Sequence, residues 1–479
     1  MIHKRTSGGG THSGGDNEMF LKRALEKILS EKDIKRAQHA QLKKACETAL
    51  SEVTKEIQNN RVSESSVLPS TAAQRSIVNA EKYFLPFELA CASHHPRMVE
   101  TSLDCLQKLL LHGHLMGSIP DPMDVSKLLI DRIVSTICLC FRGVQTEEQV
   151  ELQIIKALLT IMTSQTIEIH QKSVLQIIKT CFNIYLTSRS KINEATAQGS
   201  LSQMLNGIFS KMEQKMSLLN EKRRQLDNRS TTQQQRQRQQ PQDDNTNISE
   251  LSSSSTMKAN EEEAISESNV IEDDLVVKEI LDELVEKICY DEATQQQRST
   301  DLSTNEIIEE AQSVHEEILS IAPISSANSL SHHLESSGEI ETTMSTSLSA
   351  DELSVDNYFK NAFYVFRALC KLSDRDIKDK TNTDPRTNLD LKSRIFSLRL
   401  IMQILQTSGP TFRTSEDFLN VIKTYLCVSL SRNGVSAIPE LFEMALYNFV
   451  ELLDKFKQHL KVQIETALDC IGERLHPVL

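Results

Sequence analysis

Wherever apolar residues cluster in this chain they recur at three- and four-residue spacing, and strict alternation is not prominent anywhere. That period lays one side of a helix against a core, whereas strands would need period two. From Met19, the residues Phe20, Ala24, Ile28 and Leu29 share a face, and Leu42, Ala45, Ala49, Val53 and Ile57 continue the pattern. The polar stretch 58–78, which contains Pro69, is predicted to be a loop. Between Tyr83 and Met212 come the apolar segments Leu103–Leu111, Leu128–Phe141, Val150–Met162, Val174–Leu186 and Leu201–Met212. The breaks between them carry turn chemistry: His94-His95-Pro96, GSIPDP at 117–122 and RGVQTEE at 142–148. Thr146, followed by acids and then an apolar run, is the expected N-cap of the next helix. A second block opens with Phe359, Phe363, Phe366 and Leu369, then continues through Ile395–Leu405, Phe418–Leu430 and Leu441–Phe456. The pattern predicts an all-α chain whose short-linked helices stack as hairpins into an irregular α-solenoid, since no strict repeat length emerges.

Between the two blocks the pattern lapses. Residues 213–240 are basic and Gln-rich, and most of 241–350 is Ser, Glu and Asp, with two periodic islands at Leu275–Ile288 and Ile307–Ile321. Only 39% of the chain is apolar and it has no Trp, against about 45–50% apolar in typical soluble proteins. The formal net charge of -13 is also unevenly spread: Pro241 to Asp356 holds 28 acidic and 4 basic residues, a net of -24. The remaining residues, 49 basic and 38 acidic, therefore carry +11. So acidic and apolar-poor a stretch offers too little burial to offset chain entropy, and it is expected to be a disordered linker. The resulting division is a flexible leader at 1–18, a helical domain at 19–213, a basic then acidic linker at 214–354 and a second helical domain at 355–479. The acidity argues against a general nucleic-acid binder, and the basic stretch, with a net charge of +4 over 213–240, is marginal at physiological salt.

Catalytic patterns are missing from the sequence. It contains no G-x-x-x-x-G-K-[ST], G-x-G-x-x-G, H-E-x-x-H or G-x-S-x-G. Cys138 and Cys140 lack a second ligand pair at zinc-site spacing, and on a helix they point about 200° apart. His94-His95 sits in a turn, and Glu261–Glu263 lie in surroundings too polar to shift their pKa values. The ten cysteines are scattered, most of them among helix-patterned apolar residues, as reduced buried thiols of a cytosolic protein would be. No apolar run is long enough for a transmembrane helix, and the polar Gly-rich start is not a secretory signal. No catalytic, cofactor-binding or metal-binding residue is therefore expected, nor a small-molecule substrate. The chemistry points to a helical scaffold that binds partner proteins through helix faces.

Several segments are specific enough to carry a resemblance. MFLKRALEKIL at 19–29, HAQLKKACETAL at 39–50, KYFLPFELACASHHPRMVETSLDCLQKLLLHGHLMG at 82–117, the stretch 129–189 and LSQMLNGIFSKME at 201–213 resemble the brefeldin A-inhibited guanine nucleotide-exchange proteins. These are large exchange factors for Arf GTPases, and the matching segments span the family's N-terminal dimerisation and cyclophilin-binding domain. FYVFRALCKLS at 363–373, the stretch 391–443 and FKQHLKVQIE at 456–465 are similar to the start of the homology-upstream region that follows. The resemblance implies an armadillo-like fold.

It also implies a function. The first domain would dimerise or contact its own neighbouring homology-upstream region, and would recruit the protein to trans-Golgi membranes through an Arf-like GTPase, leaving a cytoplasmic protein peripheral on that membrane. Lys108 and His112, four apart on one helix face, are the expected contacts, with Pro86 and Phe87 nearby. After Glu465 the sequence reads TALDCIGERLHPVL, where family members continue towards the exchange domain, so this chain is expected not to be an enzyme. The alternatives are a piece of an active exchange factor and an unrelated helical adaptor. The face around Phe449, Leu452, Leu453 and Phe456 is expected to lack its covering helices.

Overall fold

The computed structural model describes residues 14–63, 80–124, 126–238, 339–375 and 388–461. Among these residues every regular element is helical, apart from an isolated antiparallel bridge between Pro120 and Leu128. The fold is all-α, built of packed helical hairpins as the spacing predicts. The acidic stretch with its two islands lies outside the described residues. The chain divides into two compact units: the first runs to Met204, and the second begins at Leu205 and takes in 339–461.

In the first unit α1 (Gly14–Ser30) and α2 (Ala40–Ser63) are joined by two 3-10 turns, Lys32–Lys35 and Ala37–His39. Then come α3 (Phe84–Ala92), α4 (Pro96–Leu111), α5 (Leu129–Leu139), α6 (Glu148–Thr163), α7 (Gln171–Thr187) and the first turns of α8 (Lys191–Arg238). Pro96 opens α4 at N1, where its missing N–H costs nothing and its fixed φ suits a helix. Asp131 starts α5: one carboxylate oxygen accepts the Leu128 N–H at 3.2 Å and the other the Ser173 hydroxyl at 2.6 Å. Helices pack on the second one along, α4 on α6 and α5 on α7, while α4 also meets α1 and α3. Leu103, Leu106, Ile133, Ile137, Ile154, Leu158 and Ile177 are fully buried between them, each worth about 1.5–3 kcal/mol over an exposed position. Glu151, itself buried, accepts from the Ser188 hydroxyl at 2.6 Å and the Asn193 amide at 3.0 Å, locking α6 to the α7–α8 turn.

Local expectations differ from the structure at three places. Glu147, not Thr146, occupies the N-cap of α6, and the Thr146 hydroxyl instead accepts the Arg142 N–H at 2.7 Å, closing the preceding turn. The predicted loop begins later, because α2 continues to Ser63. The helix expected to end near 213 continues to Arg238. Gln, Arg, Lys, Glu and Leu are all good helix formers, and Leu219 supplies a further buried apolar contact.

The second unit holds α8 from Leu205 with α9 (Glu339–Ser373), α10 (Leu389–Thr407), α11 (Pro410–Thr414), α12 (Glu416–Val421), the π-helical turn Ile422–Leu426, α13 (Cys427–Asn433) and α14 (Pro439–Phe456). Its core is aromatic. Phe412 and Phe418 stand 4.5 Å apart by ring centroid, Phe366 meets Phe412 edge-on at 5.0 Å, and Phe209 of α8 meets Phe412 edge-on at 5.6 Å. Such offset and edge-on arrangements suit the ring quadrupoles. Around this core Asn448 donates to the Leu398 carbonyl at 2.9 Å, and Lys455 donates to the last carbonyls of α10, Leu405 and Gln406, at 2.8 Å each. The expectation of an uncovered last face is corrected here for three of its four residues: Phe449, Leu452 and Phe456 are buried where α14 packs on α10, while Leu453 stays part-exposed. The apolar residues that α14 does expose are Leu446, Tyr447 and Val450.

Candidate partner-binding surface

Lys108 and His112 lie at the end of α4, which packs against α1. Phe20 of α1 reaches both of them. Its ring stacks on that of His112 at 6.2 Å with a 12° interplanar angle, and the Lys108 ammonium lies 5.4 Å from its centroid. Lys108 also pairs with Asp104 one turn back, at 2.6 Å. His114 completes the cluster 6.4 Å from His112. Burial pushes its pKa down, and the neighbouring His112 pushes it further the same way. Leu111 and Met116 bracket this cluster in sequence and are both exposed, Leu111 at 60%.

The four expected contact residues therefore separate into two pairs. Lys108 and His112 share a surface with Phe20 and His114. Pro86 and Phe87 lie inside the core on α3, which packs on α4, and Phe87 has no exposed surface at all. They support the α4 surface and do not line it. The part-buried Arg132 holds α3 in place: its guanidinium donates twice to Glu88, at 2.7 and 2.6 Å, and once to Asp121 at 3.2 Å. Phe20 and His114 were not found from sequence. Phe20 carried only the signal of a core position on α1, and nothing local joins residue 20 to residue 112.

The other sequence candidates hold no reactive arrangement. His94 and His95 do form the α3–α4 turn, His94 with φ +56°. His95 Nε2 lies 2.7 Å from Asp33, beside the buried His39, whose pKa burial pushes down, with a further push from His95. Burial also lowers the pKa of His94, with Arg142 adding to it. Burial raises the thiol pKa of Cys138 to about 12, and among the described residues no cluster of three or more His, Cys, Asp or Glu is arranged to hold a metal ion.

Among its described residues the protein is all-α, in two helical units, the first of which carries a helix-face surface around Phe20, Lys108 and His112. Residues 18–216 match the Mon2/Sec7/BIG1-like dimerisation and cyclophilin-binding domain, and residues 358–477 match the Mon2/Sec7/BIG1-like HUS domain. The chain is 40% identical over 514 aligned residues to the brefeldin A-inhibited guanine nucleotide-exchange protein 1 of Rattus norvegicus, in an alignment covering 93% of this chain and 28% of that protein. The Homo sapiens protein of the same name is also 40% identical, over 517 residues and the same shares. Brefeldin A-inhibited guanine nucleotide-exchange protein 3 of Arabidopsis thaliana is 27% identical over 467 residues, covering 92% of this chain and 24% of that protein. The chain belongs to the Mon2/Sec7/BIG1-like family through these two domains and corresponds to the N-terminal part of the exchange protein. It spans 28% of the length of the mammalian relatives.

Proposed function

We propose that this chain is a non-catalytic regulatory region of a large Arf guanine nucleotide-exchange factor, mediating self-association and recruitment to Golgi membranes in vesicle-mediated transport. The domain matches at 18–216 and 358–477 support the regulatory reading, as does kinship to proteins named as exchange factors. Recruitment would be peripheral, through a protein bound to the membrane, and no described helix is long and apolar enough to cross one.

The observation that carries the recruitment reading is the Phe20–Lys108–His112 stack with exposed Leu111 and Met116 beside it in sequence. An apolar centre with a cationic edge is the composition of a protein-docking surface, and we assign it to an Arf-like GTPase in its GTP state. Pull-down by a GTP-locked Arf-like GTPase should weaken in Lys108→Glu. Unchanged capture sinks the site assignment. The purified chain should release no GDP from an Arf GTPase above background, and robust release would overturn the non-catalytic reading.

The 28% span of the mammalian relatives favours one further reading, in which the chain is a piece of an active exchange factor. Sequencing the transcript beyond the codon for Leu479 separates the two. Light scattering on the intact chain across a concentration series tests self-association, and a monomer at all concentrations would remove that part of the proposal.

A further inference from the structure

The helix α14 has two apolar sides. Leu441, Ala445, Asn448 and Leu452 are buried on the inward side, and α14 packs on α10 and α13. On the other side Leu446 and Val450 are exposed, Val450 at 53%, while Phe442 and Leu453 are part-buried. Phe442, Leu446, Val450 and Leu453 follow one another at intervals of four, four and three, which sets them in one stripe along the helix. One such stripe suffices to seat a surface helix on its core. A second stripe calls for a second partner.

The chain itself turns back at the end of α14. The helix ends at Phe456, the His459 N–H donates to the Phe456 carbonyl at 2.9 Å, Leu460 is fully buried, and the backbone is helical again at Lys461. Residues 462–479 lie outside the described ones, but their sequence carries a matching pattern. Ile464, Leu468, Ile471 and Leu475 recur at intervals of four, three and four, and Glu465, Asp469 and Glu473 fall away from that line. The HUS match continues to residue 477, so this stretch belongs to the same domain as α14.

The turn also sets a register. Antiparallel helices joined by a short turn rise equally, by about 1.5 Å per residue, so Phe456 and Lys461 stand level. Three steps from the turn bring Leu453 opposite Ile464, ten bring Leu446 opposite Ile471, and fourteen bring Phe442 opposite Leu475. Val450 then falls beside Leu468. Every position of the outer stripe meets an apolar residue.

We propose that residues 464–475 fold back as an amphipathic helix and dock along the outer stripe of α14. The occupant is this segment because only the four residues 457–460 separate it from α14, and a segment so tethered meets its site at roughly millimolar effective concentration. While docked it denies the stripe to any other apolar helix. The inference stands apart from the regulatory reading above, since it needs no partner protein.

Disulfide trapping in the full chain, with Cys289 and Cys470 replaced by Ser, tests the register. Under copper-phenanthroline oxidation the Leu446→Cys, Ile471→Cys variant should form the 446–471 bond within one molecule, read by mass spectrometry after digestion. The Leu446→Cys, Glu465→Cys variant, whose second position lies off the stripe, should form its bond only in trace. Equal yields from both pairs, or no bond in either, would overturn the docking. Bonds between two molecules would put a second copy on the stripe and overturn it as well. Hydrogen exchange on the unaltered chain supplies a readout that no substitution disturbs. Amides of 464–475 should exchange about tenfold or more slowly than in the free peptide of that sequence, and Val450→Glu should speed them while α10 stays protected. Exchange at the peptide's rate, or a rate unchanged by Val450→Glu, would overturn the proposal.

Discussion

Glu213 caps the helix of Phe412. Its carboxylate accepts the backbone N–H of Phe412 at 2.9 Å and that of Thr411 at 3.0 Å, so a side chain of α8 satisfies two donors at the start of α11. Gly409 leaves the room: a Cβ there would fall 2.4 Å from the Glu213 carboxyl carbon. Both residues lie in the second unit, although Glu213 falls within the stretch matched to the dimerisation and cyclophilin-binding domain. The structural boundary at Leu205 thus precedes the end of that match at 216.

Removing this cap should destabilise the aromatic core behind it. Glu213→Ala deletes two hydrogen bonds to a charged group and is expected to cost about 2–3 kcal/mol. Gly409→Ala displaces the same carboxylate and should cost about 1–3 kcal/mol. Because both act through Glu213, the double variant should cost little more than the worse single one. Urea denaturation of the full chain measures all three, and fully additive losses would show that Gly409 does not act through Glu213.

Arg132 should be the costliest single polar residue of the first unit to remove. Its side chain is 18% exposed and binds Glu88, 15% exposed, and Asp121, 7% exposed. Arg132→Met leaves both carboxylates without their cation. Because Arg132 and Glu88 keep some solvent contact, the loss should stay below the about 3–5 kcal/mol of breaking a fully buried pair from one side. Lys at this position keeps the charge but loses the two-pronged contact with Glu88, so it should recover only part of the loss. A denaturation midpoint for Arg132→Lys equal to that of Arg132 would show that charge alone matters.

How far the sequence could be read follows from the range of each interaction. Helix faces are local, and the period of Leu103, Leu106 and Leu110 placed α4 and its buried side correctly. Turn chemistry was legible at His95-Pro96, but the cap at Thr146 was misplaced by one residue because its hydroxyl serves Arg142 instead. The ends of α2 and α8 were missed since polar helix formers carry no apolar period to follow. Contacts distant along the chain left no local trace. Nothing in Phe20 announces His112, nothing in Glu213 announces Phe412, and the burial of Phe87 separates it from Lys108 although both lie in one quoted segment. The last face around Phe449 and Phe456 looked uncovered because its partner, α10, lies some fifty residues earlier.

The first unit should lose stability on mild acidification. Burial holds the pKa values of His39, His94 and His114 below the ordinary histidine value, with His95, Arg142 and His112 respectively adding to it. Below about pH 6.5 the unfolded chain binds protons that the folded chain resists. Stability is then fully present above that pH and declines as pH falls from there towards the lowered folded values. Thermal melts should be flat between about pH 7 and 8 and decline from about pH 6.5 downward, before most carboxylates titrate. His39→Gln, which cannot take up a proton, should flatten part of that decline. A variant that melts with an unchanged pH profile would exclude His39 as a contributor.

The described cysteines should behave as core residues and not as reactive thiols. Seven of the eight have pKa values raised, in each case except Cys91 with burial as the largest cause. For Cys91 a hydrogen bond with Cys140 comes first and burial second. Cys46 is pushed up to about 12, and Cys427, the one that is not fully buried, to about 11. Thiolate is the nucleophile, so at pH 8 almost none is present at these positions. Cys289 and Cys470 lie outside the described residues and are replaced by Ser in the tested chain. Ellman's reagent should then find almost no reactive thiol in the folded protein and all eight after guanidinium is added. Cys427 should react first as denaturant rises. Rapid modification of Cys105 or Cys181 under native conditions would contradict their placement in the core of the first unit.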